Sequence, residues 1–162
     1  MQQPQSLPKK VIGRAEKVSF PELGAFDVPA RIDTGAQTTA LWATDIVATK
    51  GSLSFRLFAP GSSFYTGEIH HTKQFTEIVV GSSMGHVQVR YKVRVLIKLK
   101  GKKIRAQVTL ADRAEQAYPV LVGRNVLRGK FIVDVAQGKP LYQEERRRSQ
   151  ALQSKLTTGE QL

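Results

Sequence analysis

Between Val87 and Leu99 every odd position is apolar: Val87, Val89, Tyr91, Val93, Val95, Ile97 and Leu99. The even positions carry Gln88, Arg90, Lys92, Arg94 and Lys98, with Leu96 as the single break. Period-two alternation puts one set of side chains on each face of an extended strand, whereas a helix repeats its apolar face every three to four residues. Gly101-Lys102 reads as a turn, and Ile104, Ala106, Val108 and Leu110 then alternate with Lys103, Arg105, Gln107 and Thr109. The segment is therefore expected to be a long β-hairpin with one buried and one basic face. Shorter strands are expected at Val11–Phe20, Phe26–Ile32, Ser52–Phe58, Thr76–Val80, Val120–Val122 and Phe131–Val135, punctuated by Gly and Pro. A short helix is expected from Gly123 to Gly129, the main helix of the chain. Many short strands with regular turns point to an all-β barrel or sandwich.

The 162 residues suffice for one ordinary domain. The chain has no cysteine, which excludes a disulfide framework, a Cys-based zinc site and a thiol nucleophile. No apolar run approaches a membrane span, so no membrane contact is expected. Residues 1–8 are Gln/Pro-rich without a signal-peptide core and read as a flexible arm of a cytoplasmic protein. Residues 9–143 form the expected domain. Residues 144–162 are polar and Arg-rich, with apolar residues too sparse for a buried helix face, and read as a tail or a frayed helix.

Candidate chemistry sits where an apolar strand ends in Asp33-Thr34-Gly35-Ala36. A carboxylate leaving a strand can point into a cleft, Thr34 can hold the turn by a local hydrogen bond, and Gly35 lets another backbone approach. Three residues alone fit an ordinary Asx turn better. A second segment changes the balance: Pro119 to Val122 is apolar and runs into Gly123-Arg124-Asn125 and a helix start.

Together these segments resemble the retropepsin-like aspartic proteases, in which an apolar D-T-G-A element is followed much later by an apolar strand and G-R-N or G-R-D. The likeness is closer to a bacterial branch linked to ribosomal-protein glutamate ligases and labelled as ATP-dependent zinc proteases. It rests on four ordered motifs: Val11-Ile12-Gly13-Arg14 with Glu16, Ile32 to Leu41, Ser82-Ser83-Met84-Gly85-His86, and Gly123 to Asp134. Gln37 and Trp42 depart from the branch, whose members often carry Arg and His there. The resemblance implies a retropepsin-like closed β-barrel with one short helix. It also implies a homodimer in which each protomer gives one catalytic Asp33, supported by Thr34, Gly35 and Ala36, with Gly123, Arg124 and Asn125 as the structural motif. Its flap hairpin would have Gly81, Ser82, Ser83, Met84, Gly85 and His86 at the tip.

The zinc and ATP labels find no motif in the chain, and His70, His71 and His86 have no specific metal spacing, so no metal and no cofactor is expected. Of the net charge of +12, most lies in the hairpin: Gln88 to Arg113 holds nine basic residues and one acid, Asp112. Arg90, Lys92, Arg94, Lys98 and Lys100 are the candidates for contact with an acidic peptide or protein tail. Nucleic acid fits less well, because Tyr91 is the only aromatic there and belongs to the apolar set. The expected function is a homodimeric aspartic endopeptidase that trims polyglutamate tails. The alternative is a catalytically silent module of the same fold that binds acidic partners through the basic hairpin.

Overall fold

The computed structural model describes residues 7–81 and 84–159. The alternating segment forms the hairpin its pattern demands, within the following order of elements. The strands are β1 (Lys10–Ile12), β2 (Ala15–Phe20), β3 (Ala25–Ile32), β4 (Thr39–Thr49), β5 (Ser52–Leu57), β6 (Ile69–Thr72), β7 (Phe75–Gly81), β8 (Val87–Leu99), β9 (Lys102–Ala111), β10 (Val120–Val122) and β11 (Phe131–Val133). The helices are α1 (Arg124–Leu127) and α2 (Tyr142–Thr158), and a 3-10 turn spans Pro21–Leu23.

Hydrogen-bonded neighbours run β10-β3-β2-β8-β9-β4, and β4 pairs again with β10, so six strands close into a barrel. Closure leaves these strands without a free edge. The first half of β4 runs parallel to β9, Thr39 opposite Val108 and Trp42 opposite Ala111, and its second half leaves the barrel to pair with β5. β1 and β11 form a separate parallel ribbon. The barrel interior is filled by the alternate residues read from the sequence: Val93, Val95, Ile97 and Leu99 of β8 against Ile104, Ala106, Val108 and Leu110 of β9, all buried.

The hairpin turn lies one residue earlier than its sequence implies. Leu99 pairs with Lys102, and the two loop residues are Lys100 and Gly101, with φ of 48° and 78°. Positive φ at both positions is the type I′ geometry that matches strand twist. The expected strand Val11–Phe20 is interrupted at Gly13, where a Cβ would lie 2.1 Å from the Gln137 carbonyl oxygen. The chain crosses itself there, which divides β1 from β2. β4 and β6 are strands that the pattern reading did not identify.

The helix at Arg124–Leu127 is four residues long, and the longest helix is instead α2, with 17 residues, inside the segment read as tail or frayed helix. No residue of α2 is buried, and Leu152 and Leu156 stay exposed. Polar contacts dock its first turns. Arg14 donates to both Glu145 carboxylate oxygens at 2.8 and 3.0 Å, and the Tyr118 hydroxyl donates to Glu145 Oε1 at 2.6 Å. The Leu141 N–H donates to the Tyr118 hydroxyl at 2.9 Å, and the Arg14 guanidinium lies over the Tyr142 ring. Among the described residues no helix is long and apolar enough to cross a membrane.

The hydrogen bond from Arg14 holds Glu145 below the ordinary glutamate value of 4.5, against an opposing push from burial. A carboxylate whose pKa is lower folded than unfolded stabilises the docked state above its unfolded value, and that contribution vanishes as pH falls through the folded value. Docking of α2 is therefore expected to hold above about pH 4.5 and to be lost below it. Hydrogen exchange of the α2 amides against pH checks this: Glu145→Gln should exchange faster at neutral pH and lose the acid transition.

Candidate active site

Asp33 is the first residue past β3. Its N–H donates to the Val122 carbonyl of β10 at 2.9 Å, so the loop leaves the barrel between two strands that fix its direction. Asp33 Oδ1 accepts from the N–H groups of Gly35 and Ala36 at 2.9 and 3.2 Å. The side chain is thereby oriented by its own turn. Oδ2 has no partner among the described residues. Asp33 is half-buried, and Thr34 and Gly35 are exposed. The carboxylate is thus held by one oxygen and offers the other.

The segment from Gly123 straps this loop from outside. Arg124 N–H donates to the Ala36 carbonyl at 2.8 Å and Asn125 N–H to that of Gln37 at 3.2 Å. The Arg124 guanidinium donates to the carbonyls of Gly35 and Thr34 at 2.8 and 3.2 Å. Asn125 Oδ1 accepts from both the N–H and the hydroxyl of Thr39 at 3.0 and 2.9 Å, and its Nδ2 donates to the Gln107 carbonyl of β9 at 2.8 Å. Thr39 is fully buried, and its hydroxyl in turn accepts from the Gly123 N–H at 3.0 Å. Gly123 is required by closeness: a Cβ would sit 2.7 Å from the Thr38 carbonyl. Asp33, Thr34, Gly35 and Ala36 are thus brought together with Gly123, Arg124 and Asn125 across some ninety residues of chain.

The other candidates lie apart from this loop. Gly81, Met84, Gly85 and His86 sit where the β7–β8 hairpin turns, with Met84 82% exposed, while Ser82 and Ser83 lie outside the described residues. Arg90, Lys92, Arg94 and Lys98 project from the outward side of β8, opposite its buried set. Lys100 does not share that face: it stands in the turn, its Nζ 3.9 Å from Glu16 Oε1. Arg105, on the outer face of β9, is held by Glu22 at 2.6 Å. His70 and His71 are consecutive on β6 and so point to opposite sides of the strand. His70 tilts against Phe55, and burial, with His71 adding, pushes its pKa down. Gln37 is exposed beside the strap, while Trp42 packs edge-on against Phe58.

Two arginines near Asp33 escaped the sequence reading. Arg31 is exposed on β3 opposite Leu121, and Arg113 follows β9, its Nε donating to the Tyr118 carbonyl at 2.9 Å. Arg113 titrates below the usual arginine range because burial and the Arg31 charge both oppose its proton, with Asp33 partly offsetting them. Arg31 was legible in principle. It stands two residues before Asp33, near the end of the strand that leads into it.

A closed six-stranded barrel that carries an Asp-Thr-Gly loop braced by a Gly-Arg-Asn strap defines a retropepsin-like fold. The model of a family described as "Retropepsin-like aspartic endopeptidase RimB" matches residues 11–140, and the chain belongs to this RimB-like family. It is 27% identical over 144 residues to a "Probable alpha-L-glutamate ligase" of Desulfotalea psychrophila, covering 82% of this chain and 29% of that protein. It is 28% identical over 148 residues to a protein of the same description from Shewanella halifaxensis, covering 84% and 31%. The chain therefore spans about three-tenths of the length of these relatives. Among solved structures, a Legionella pneumophila protein of unknown function is similar with a TM-score of 0.57 and 25% identity, over 81% of this chain and 97% of that one.

Asn125→Ala removes the acceptor of the buried Thr39 N–H, while the exposed Gln107 carbonyl can turn to water. An unsatisfied buried group costs about 1–3 kcal/mol. The variant is expected to lose about 1–3 kcal/mol of stability, read by denaturant unfolding.

Proposed function

We propose that this protein is an aspartic endopeptidase that works as a homodimer and trims glutamate-rich protein tails. The observation that carries the reading is Asp33 itself: a carboxylate oriented through Oδ1 by two backbone N–H groups, with Oδ2 open, on an exposed loop at the end of a barrel strand. One such group is half of a site. In the proposed chemistry an ionised carboxylate takes a proton from water as it attacks the peptide carbonyl, while a protonated carboxyl polarises that carbonyl. Two like charges a few ångströms apart cannot both ionise, so the pair shares one proton and titrates as a unit. A two-fold axis that brings Asp33 against its mate supplies the second group. The hairpin tip at Gly81–His86 would close over the bound peptide.

Two features support an acidic substrate. The outward side of β8 carries Arg90, Lys92, Arg94 and Lys98, and charges on one face add their fields to steer an anionic chain. The relatives described as glutamate ligases contain this stretch as about three-tenths of their length. A hydrolytic module within proteins so named fits removal of the residues a ligase adds.

The decisive experiment is cleavage of a glutamate-tailed peptide, read by mass spectrometry. Asp33→Asn is expected to abolish cleavage while the thermal unfolding curve stays in place, because Asn keeps the shape but cannot share the proton. Equal cleavage by wild type and variant would falsify the aspartic mechanism. A wild type that binds the peptide without cutting it would support the silent binding module instead.

The charged face generates a separate expectation. Reversing Arg90, Lys92 and Arg94 to Glu should weaken binding of the acidic peptide, with the wild-type preference itself fading as the Debye length shrinks to about 3 Å near 1 M salt. Titrations at low and high salt check this, and an equal loss for acidic and neutral peptides would mark the face as structural.

A further inference from the structure

A cleft of about 620 Å³ opens between the barrel wall and α2, and Arg31, two residues before Asp33, lines it. Arg31, Leu121 and Tyr118 line its barrel side, Arg113 its floor, and Arg148 and Lys155 its helix side. Four of these six residues are cationic; Arg148 is paired with Glu144, and Arg31, Arg113 and Lys155 make no ion pair among the described residues. Glu145 is consumed by Arg14 and the Tyr118 hydroxyl. Glu115 makes no ion pair among the described residues.

The two arginines on the barrel side of the cleft differ in how they are held. Arg113 is half-buried and fixed by its Nε bond to Tyr118, which leaves its terminal nitrogens without a partner among the described residues. The Arg31 side chain makes no hydrogen bond or ion pair among the described residues. The two guanidinium groups repel one another across the cleft; Asp33 offsets this at Arg113, and Glu145 attracts Arg31 from the helix side. Like charges of this kind are stabilised by an incoming anion, and a carboxylate fits the guanidinium fork with two parallel hydrogen bonds. The spacing also fits a peptide. Arg31 is on β3 and Asp33 is the first residue past it, so the two backbones are at most about 7 Å apart, the reach of two residues of an extended chain.

We propose that Arg31 and Arg113 form a carboxylate-binding subsite that seats the side chain of a glutamate flanking the bond presented to Asp33. This rests on the reading of Asp33 as the cleavage site, and it adds a selection step distinct from the basic face of β8. The outer face attracts an acidic chain at a distance; the cleft selects one side chain in register with the reacting bond. The helix α2 completes the subsite, so the Arg14–Glu145–Tyr118 contacts that dock it position the wall carrying Arg148 and Lys155.

The test is a binding measurement on the Asp33→Asn protein, so that it needs no turnover. Fluorescence anisotropy compares labelled hexaglutamate with hexaglutamine, which has nearly the same shape without the charge. Hexaglutamate should bind and hexaglutamine should not. Adding Arg31→Gln, an exposed position whose side chain has no hydrogen bond to lose, should weaken hexaglutamate binding about tenfold or more, the usual cost of a charge-assisted hydrogen bond. Arg113→Lys, which keeps the charge but not the fork, should weaken it less than Arg113→Gln. Lys17→Gln removes the same unit of charge from the exterior of β2 and should change affinity by less than about twofold. Equal weakening by Lys17→Gln and Arg31→Gln, or no weakening by Arg31→Gln, overturns the proposal, as does failure of hexaglutamate to bind at low salt. Binding that depends on Arg31 in a protein that cuts nothing would retire the peptidase reading and leave the subsite standing.

Discussion

The hydroxyl of Thr39 is the point on which this structure turns. It is fully buried, it donates to Asn125 and it accepts from the N–H of Gly123, so one oxygen joins the start of β4 to the end of β10. Those are the two strands whose pairing closes the barrel. Without closure, β4 and β10 would present unpaired backbone groups at an edge. The same residues hold the Asp33 loop, because Arg124 and Asn125 reach its carbonyls from the strap that Thr39 anchors. Stability of the barrel and orientation of the carboxylate are therefore one problem, solved by one set of hydrogen bonds.

That coupling explains why the loop can be exposed and still be ordered. Loops on a surface are ordinarily mobile. Here the backbone of Gly35 to Gln37 is bound from both sides: by Asp33 Oδ1 within the turn and by Arg124 and Asn125 from outside. Burial contributes little at this place. A carboxylate needs access to water and to substrate, so polar contacts must do what packing does in the barrel interior.

How legible this was in the sequence varied with the physics of each part. The β8–β9 hairpin was plain because a barrel wall has one dry and one wet face, and strict alternation records that. Asp33 and the Gly123 strap were legible as motifs because close backbone approach admits few residue types. β4 was hidden: Thr39, Leu41 and Ala43 do alternate inward, but small and polar residues on both faces dilute the pattern. α2 was hidden for a different reason. It buries no side chain, and what docks it is Glu145 pairing with Arg14 across 131 residues, a long-range ion pair that no local period encodes. Arg113 was missed because the cleft that joins it to Arg31 exists only once α2 is in place.

The distribution of charge then acquires a division of labour. A net charge of +12 spread evenly would attract any polyanion and discriminate among none. Instead Arg105 is spoken for by Glu22 and Lys100 faces Glu16, while Arg31 and Arg113 make no ion pair among the described residues. Charges neutralised by close partners contribute little field at a distance. Unpaired cations gather on the outer side of β8 and in the cleft lined by Arg31 and Arg113. An acidic chain drawn by the first would find its complementary side-chain contact at the second, where a misplaced neutral residue would leave two guanidinium groups facing one another. Selectivity in this arrangement comes from the repulsion that the correct side chain relieves.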